Sequence, residues 1–202
     1  MRLGVFGGTF DPVHFGHLLL AEQCREQCAL DEVLFIPAGS PPHKQTQAIT
    51  PAKARLEMLE LAIGGHEQFR IDRRELQKVT PSFTYETLAE LHAEDASHEL
   101  FFLMGADSLR DFPTWREPGK ILNLATLAVV NRGDQPPPDL APSRELQGNA
   151  NDLRVKLVTM PDVDISSSDI RRRVRAGQSI RYLTPRAVEC YIATQLLYLS
   201  AE

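Results

Sequence analysis

Arg2-Leu3-Gly4-Val5-Phe6-Gly7-Gly8-Thr9-Phe10-Asp11-Pro12-Val13-His14-Phe15-Gly16-His17 is the stretch from which the fold is read. The apolar run Leu3 to Phe6 has the length of a buried strand and stops at Gly7-Gly8, and an amphipathic helical pattern begins near His17 and runs to about Ala29. Strand, glycine turn and helix start form the crossing at which doubly wound α/β proteins bind nucleotides, because the amides that open the helix face the phosphates. Gly7 and Gly8 carry no Cβ, so the backbone there can turn sharply and approach a ligand, with the Thr9 hydroxyl beside it. The spacing differs from the commoner phosphate loops: it contains neither G-x-G-x-x-G nor Gly-Lys-Ser/Thr. Instead His14-x-Gly16-His17 sets two imidazoles at a helix start where both can face the same way. Gly16 leaves room between them for a substituent such as a phosphate oxygen.

Strand and helix patterns alternate through the rest of the chain without a long linker. The 202 residues, 43% of them hydrophobic, are therefore expected to form one α/β domain with a parallel sheet covered on both faces. A net charge of −5 argues against extended binding to nucleic acid and favours a small nucleotide as ligand. No apolar run reaches the length of a membrane span, and the amino terminus enters a strand directly, so a soluble cytoplasmic protein without a membrane partner is expected. Cys24, Cys28 and Cys190 form no C-x-x-C and leave one thiol over in any pairing. Cys24 and Cys28 lie four apart on the first predicted helix with nothing nearby to complete a metal set, and read as buried apolar side chains.

The remaining signals fall where such a sheet would end its strands. Glu32 to Pro37 is a second strand, apolar on both faces, and Ala38-Gly39-Ser40-Pro41-Pro42-His43-Lys44 follows it directly. A ligand crevice beyond the strand ends would bring His43 and Lys44 to His14 and His17. Thr50-Pro51 opens a scaffold helix with Leu56, Leu59 and Ile63 inward, and Phe69 to Asp72 is a third strand. Pro81-Ser82-Phe83-Thr84-Tyr85-Glu86-Thr87-Leu88 leads into a helix whose first amides suit a carboxylate; Ser82 or Thr84 can cap the same helix. Glu99 to Met104 ends in Gly105-Ala106-Asp107, where an acid can hold ribose hydroxyls. Ala125 to Asn131 is closed by Arg132, a candidate for a substrate phosphate. Residues 133–151 hold Pro136-Pro137-Pro138 and no periodicity, and read as a long surface insertion. After a last strand over Leu153 to Val158, Ser166 and Asp169 make an approximate capping box for a helix running to Ala176. Its hydroxyls and amides suit an anion, and Arg171 can reach a triphosphate with a bidentate fork. Thr184-Pro185 opens a final helix with Val188, Tyr191, Ile192, Leu196 and Leu199 inward.

Thr9-x-x-x-x-His14-x-Gly16-His17 resembles the signature of the HxGH nucleotidyltransferases. GGTFDPVHFGH, PAGSPPHK, PSFTYETL, MGADSLRDFPTW and ISSSDIR together resemble the bacterial nicotinate mononucleotide adenylyltransferases, with Ser168 where threonine is usual. The resemblance, from Gly7 to Arg171, implies a Rossmann-like doubly wound fold and adenylyl transfer from ATP to nicotinate mononucleotide, giving nicotinate adenine dinucleotide and pyrophosphate. It implies no covalent intermediate, and Mg²⁺ carried by the ATP phosphates rather than by a protein ligand set. It assigns His14, His17, Lys44 and Arg171 to catalysis. To ATP it assigns Gly7, Gly8, Thr9, Phe10, Gly105, Asp107, Ile165, Ser167 and Ser168, and to nicotinate mononucleotide His43, Thr84, Tyr85, Trp115 and Arg132. Two alternatives stand beside it. Phosphopantetheine adenylyl transfer shares the histidine and serine segments but has no need of SFTYETL or Trp115; a non-catalytic nucleotide-binding module has no need of the intact histidines and Lys44. The sequence leaves open whether the protein is a monomer or a homo-oligomer.

Overall fold

A computed structural model describes residues 1–39, 49–78, 80–133, 136–147 and 154–199. Among these, six strands form one sheet: β1 (Arg2–Gly8), β2 (Glu32–Pro37), β3 (Phe69–Ile71), β4 (Glu99–Gly105), β5 (Ala125–Arg132) and β6 (Val155–Met160). Their order is β3-β2-β1-β4-β5-β6 and every pairing is parallel. The helices between them are α1 (Phe15–Gln27), α2 (Ala52–Ile63), α3 (Thr84–Glu94), α4 (Ala106–Asp111), α5 (Pro118–Leu124), α6 (Ala141–Gln147), α7 (Ser167–Arg175) and α8 (Arg186–Thr194).

The two-residue period of the strands divides the interior into two cores. Leu100, Phe102 and Met104 of β4 face one way, against Leu88 and Leu91 of α3, Leu109 of α4 and Ile121 and Leu122 of α5. Phe101 and Leu103 face the other way, where α1, α2, α7 and α8 bring Leu20, Cys24, Met58, Leu59, Ile170 and Val188. Helices this short are marginal alone; the sheet holds them, each fully buried Leu or Ile contributing about 1.5–3 kcal/mol. The expected doubly wound sheet is thus observed. No helix among the described residues is long and apolar enough to cross a membrane.

Three expectations about the scaffold are corrected. Helix α1 starts two residues earlier than its apolar pattern suggests, because His14, with extended backbone at φ −148, serves as its N-cap; it stops before Cys28, and Ala29 turns left-handed at φ 49. Cys24 and Cys28 are buried as expected. The 133–151 stretch, read as a surface insertion without periodicity, contains α6, whose Ser143 is buried, while Leu140 and Leu146 rest on the α3–α5 core. Two apolar contacts are too few to register as a period. In the final stripe, Leu196 and Leu199 are exposed, because the chain leaves α8 at Gln195 and Leu196 adopts φ 51; Leu197 and Tyr198 turn inward in their place.

Two strand-end glycines differ in what the fold demands of them. A Cβ at Gly39 would stand 2.3 Å from the carbonyl oxygen of Glu75, in the 3-10 turn Arg74–Gln77, whereas a Cβ at Gly105 would meet nothing within 4 Å. Gly39→Ala should therefore force backbone apart and cost about 1–3 kcal/mol, at about 2–4 °C of Tm per kcal/mol. Gly105→Ala should leave Tm within about 1 °C of the parent. Thermal unfolding of the two variants side by side checks this, and equal losses would contradict it.

Candidate active site

β1 and β4 are neighbours from which the chain winds in opposite directions, so their carboxyl ends border the crevice where doubly wound sheets bind ligands. Gly7 and Gly105 stand at those ends. A Cβ on Gly7 would make only an ordinary contact, 3.9 Å from Phe102, so packing requires glycine at neither position and the space above both strand ends is open. Gly8 is different. Its missing Cβ makes room for the Phe10 ring, which would lie 2.9 Å away. That ring is 1% exposed and packs on Phe6, Phe35 and His17, so the side chain of Phe10 cannot touch a nucleotide and only its backbone can.

The two histidines stack at the start of α1 with ring centroids 3.7 Å apart. The His14 amide donates to Nδ1 of His17 at 3.3 Å, which in the neutral imidazole leaves the proton on Nε2 and makes that atom the donor. His14 is buried, and its Nδ1 has no hydrogen-bond partner among the described residues. A Cβ on Gly16 would stand 3.1 Å from Nδ1 and Cε1 of His14, so the first thing this glycine admits is the histidine ring itself. Burial, and then the charge of Arg132, push the His14 pKa down to about 4.

Helix α7 is fastened to the first turn. Ser166 caps it, its Oγ accepting from the Asp169 amide at 3.2 Å, as the sequence suggests. Ser167 Oγ donates to the Pro12 carbonyl at 2.9 Å, and Arg171 Nη1 donates to the Asp11 carbonyl at 2.6 Å while Nη2 reaches Ser168 Oγ at 3.3 Å. A cavity of about 260 Å³ opens between α1 and α7, lined by His14, His17, Arg132, Ile165, Ser166 and Ser167. Arg132, a candidate for a substrate phosphate, thus stands with the histidines and the serine helix.

The other expected residues gather on the opposite face of the sheet. Thr84 and Tyr85 are the first two residues of α3, and no acceptor for their amides stands among the described residues. Phe83 is the extended N-cap, its amide meeting Glu86 Oε2 at 3.4 Å. Trp115 is half-buried, edge-on to Phe102 at 5.8 Å. Asp107 is exposed in the first turn of α4 and meets Arg110 at 3.5 Å. His43 and Lys44 lie outside the described residues.

Sequence reasoning missed several polar residues here. Arg116 stands over the Phe83 ring at 4.4 Å and Lys120 over the Tyr85 ring at 5.5 Å, so two cations reach the start of α3 from α5 and the turn before it. Ser82 Oγ, beside the same helix start, is buried without a hydrogen-bond partner among the described residues. Arg55 is 1% exposed and bonds to the carbonyls of Thr9, Thr50 and Gly39. The signal for Arg55 was available: it lies four and eight positions before the buried Leu59 and Ile63, in phase with their stripe.

One end of the sheet thus carries hydrogen-bond donors and cations on each face, and the chain is an enzyme of the nucleotidyltransferase type. The cytidylyltransferase-like family matches residues 5–173, and the chain belongs to it. Within it the chain is a member of the nicotinate-nucleotide adenylyltransferase family. A protein of Thermomicrobium roseum bearing the name "Probable nicotinate-nucleotide adenylyltransferase" is 48% identical over 100% of this chain and 93% of its own length. One of Thermus thermophilus with the same name is 45% identical over 98% of this chain and 100% of its own. Among solved structures, the nicotinic acid mononucleotide adenylyltransferase of Plasmodium falciparum complexed with NaAD has the same fold. Its TM-score is 0.79 at 18% identity, over 98% of this chain and 97% of that one.

The buried His14 makes the protein sensitive to acid. The folded state keeps the ring neutral down to about pH 4, whereas the unfolded chain takes up the proton near the ordinary value of 6.5. Stability is therefore lost as pH falls from 6.5 towards 4, by about 3 kcal/mol in all for a shift of this size. In His14→Gln this contribution should vanish. Urea unfolding of both proteins at pH 7.5, 5.5 and 4.5 measures it, and parallel curves would show that His14 titrates normally.

Proposed function

We propose that the chain transfers the adenylyl group of ATP to nicotinate mononucleotide across the β1/β4 switch point. The observation that carries this reading is the pairing of two half-sites at one strand edge: stacked histidines, Arg132 and the α7 start on one face, and the α3 amides with Trp115 on the other. In the reaction a phosphate oxygen of the mononucleotide bonds to the α-phosphorus, the bond from that phosphorus to the bridging oxygen breaks, and pyrophosphate leaves. Alignment and charge stabilisation supply the rate, so no covalent intermediate is needed. His17 offers its Nε2 proton to the transferring phosphate, Arg171 and Arg132 offset charge on the triphosphate, and the α7 start with Ser167 and Ser168 holds the phosphates. Gly7, Gly8, Thr9 and the Phe10 backbone face the same group, with Gly105 and Asp107 at a ribose and Ile165 against the nucleoside. Lys44 and His43 complete the phosphate contacts. This donor set suits anionic oxygens; Mg²⁺ would be held by the ATP phosphates, where it would supply neutralisation of the triphosphate charge. The enzyme acts on small molecules, in the cytoplasm and as one domain.

The α3 segment supports nicotinate mononucleotide over phosphopantetheine as acceptor. Two unpaired amides at a helix start meet an acceptor-only carboxylate well, whereas the NH₂ of nicotinamide would set donor against donor. Each mismatch costs roughly 1–3 kcal/mol, a tenfold to hundredfold preference. Release of pyrophosphate from ATP with nicotinate mononucleotide, nicotinamide mononucleotide and phosphopantetheine as acceptors tests the reading; a best rate with phosphopantetheine would reject it.

Two variants locate the roles. His17→Ala should lower kcat about a hundredfold or more, with a smaller change in ATP affinity, because one preorganised donor is lost. A folded variant within threefold of wild type would remove His17 from the chemistry. Thr84→Pro should fold, since proline is favoured at the first position of a helix and Phe83 already has the extended backbone that precedes proline, φ −116 and ψ 143. It should nevertheless lose most of the preference for nicotinate over nicotinamide mononucleotide in kcat/KM, whereas Thr84→Ala keeps it. Undiminished discrimination in the proline variant would move the carboxylate reader to Arg116 or Lys120.

A further inference from the structure

The buried guanidinium of Arg55 lies outside every role assigned above. It is 1% exposed, and its donors go to carbonyls on three segments: Nη1 to Thr9 at 2.8 Å, Nε to Thr50 at 3.0 Å and Nη2 to Gly39 at 3.4 Å. Thr9 belongs to the turn after β1, Gly39 follows the end of β2, and Thr50 leads into α2. Asp11 stands alongside, its carboxylate taking the Thr50 amide at 3.2 Å and the Tyr198 hydroxyl at 2.7 Å.

The orientation of Thr9 has a consequence for Phe10. In a trans peptide the carbonyl of one residue and the N–H of the next point in opposite directions. With the Thr9 oxygen drawn inward to Arg55, the Phe10 N–H is turned away from the interior, and no acceptor for it stands among the described residues. Phe10 also sits at φ 48, a left-handed conformation that a bulky residue holds only where its surroundings impose it. Two restraints impose it here: the buried ring on one side and the clamped Thr9 carbonyl on the other.

We propose that Arg55 is a positioning residue for adenylyl transfer: by clamping the Thr9 carbonyl it aims the Phe10 amide at the phosphate crevice, and it holds the Gly39 and Thr50 segments to the same turn. It touches no substrate. Lysine cannot replace it, because a compact ammonium cannot present the planar fork that reaches three carbonyls at once. The proposal rests on the adenylyltransferase reading, and its test separates the two.

Wild type, Arg55→Lys, Arg55→Met and the control Ile63→Ala, a core truncation on the same helix, are compared for turnover per folded molecule and for the amide resonance of ¹⁵N-labelled Phe10 on adding ATP. Wild-type pyrophosphate release with nicotinate mononucleotide tests the reaction; the Phe10 resonance tests the positioning whatever the acceptor is. In wild type and Ile63→Ala, ATP should shift the Phe10 amide. In Arg55→Lys that shift should be lost, with kcat down at least tenfold and ATP affinity changed less than threefold. Retained turnover and an unchanged Phe10 response in Arg55→Lys would reduce Arg55 to a stabilising residue and overturn the proposal. If neither Arg55 variant folds, the wild-type titration still decides: a Phe10 amide indifferent to ATP overturns it.

Discussion

A buried guanidinium is tolerated only where its donors are used, and much of the molecule's arrangement around the crevice follows from how Arg55 meets that constraint. Burial holds the Arg55 pKa below its ordinary value, and the neighbouring charge of Asp11 offsets only part of that shift. Removing one partner from such a buried set costs about 3–5 kcal/mol, because the other partners stay buried and unpaired. The first turn, the end of β2, the entrance to α2 and the carboxyl-terminal Tyr198 therefore stand or move together. Arg171 joins the same assembly through the Asp11 carbonyl, so this cation on α7 is aligned by the first turn.

The sheet turns that local order into two-sided chemistry. Because the chain winds outward from β1 and β4 in opposite directions, α1 and α7 cover one face and α3, α4 and α5 the other, and the two groups meet only along the strand ends. The two groups of helices thus border a common space over Gly7 and Gly105, which the fold leaves open. The exposed pairs at the rim, such as Asp107 with Arg110, contribute little to stability and leave those side chains available.

Charge within the first half-site is divided. Two imidazoles stacked at 3.7 Å repel each other when both are protonated, and His14 is held neutral by burial and by Arg132. The positive charge comes from Arg132 and Arg171, while the histidines provide directed hydrogen bonds. A net charge of −5 for the whole chain is compatible with this, because the local field is set by a few groups in a small cavity.

What could be read from the sequence was whatever is decided over a few neighbouring residues. The apolar run into Gly7-Gly8, the paired histidines at the start of α1, the Ser166 cap and the free amides of α3 are all local, and periodicity exposes them. The strand alternation behind the two cores was legible for the same reason. The tertiary structure alone decided which distant groups meet: Tyr198 with Asp11 across 187 positions, Arg171 with Asp11 across 160, Arg116 and Lys120 over the rings beside Thr84, and Arg132 beside His14. It also buried the ring of Phe10 in the core, leaving only its backbone to face the crevice, and made a helix of part of the 133–151 stretch. These outcomes depend on strand order and on which face each helix covers, and no short-range pattern in the chain encodes either.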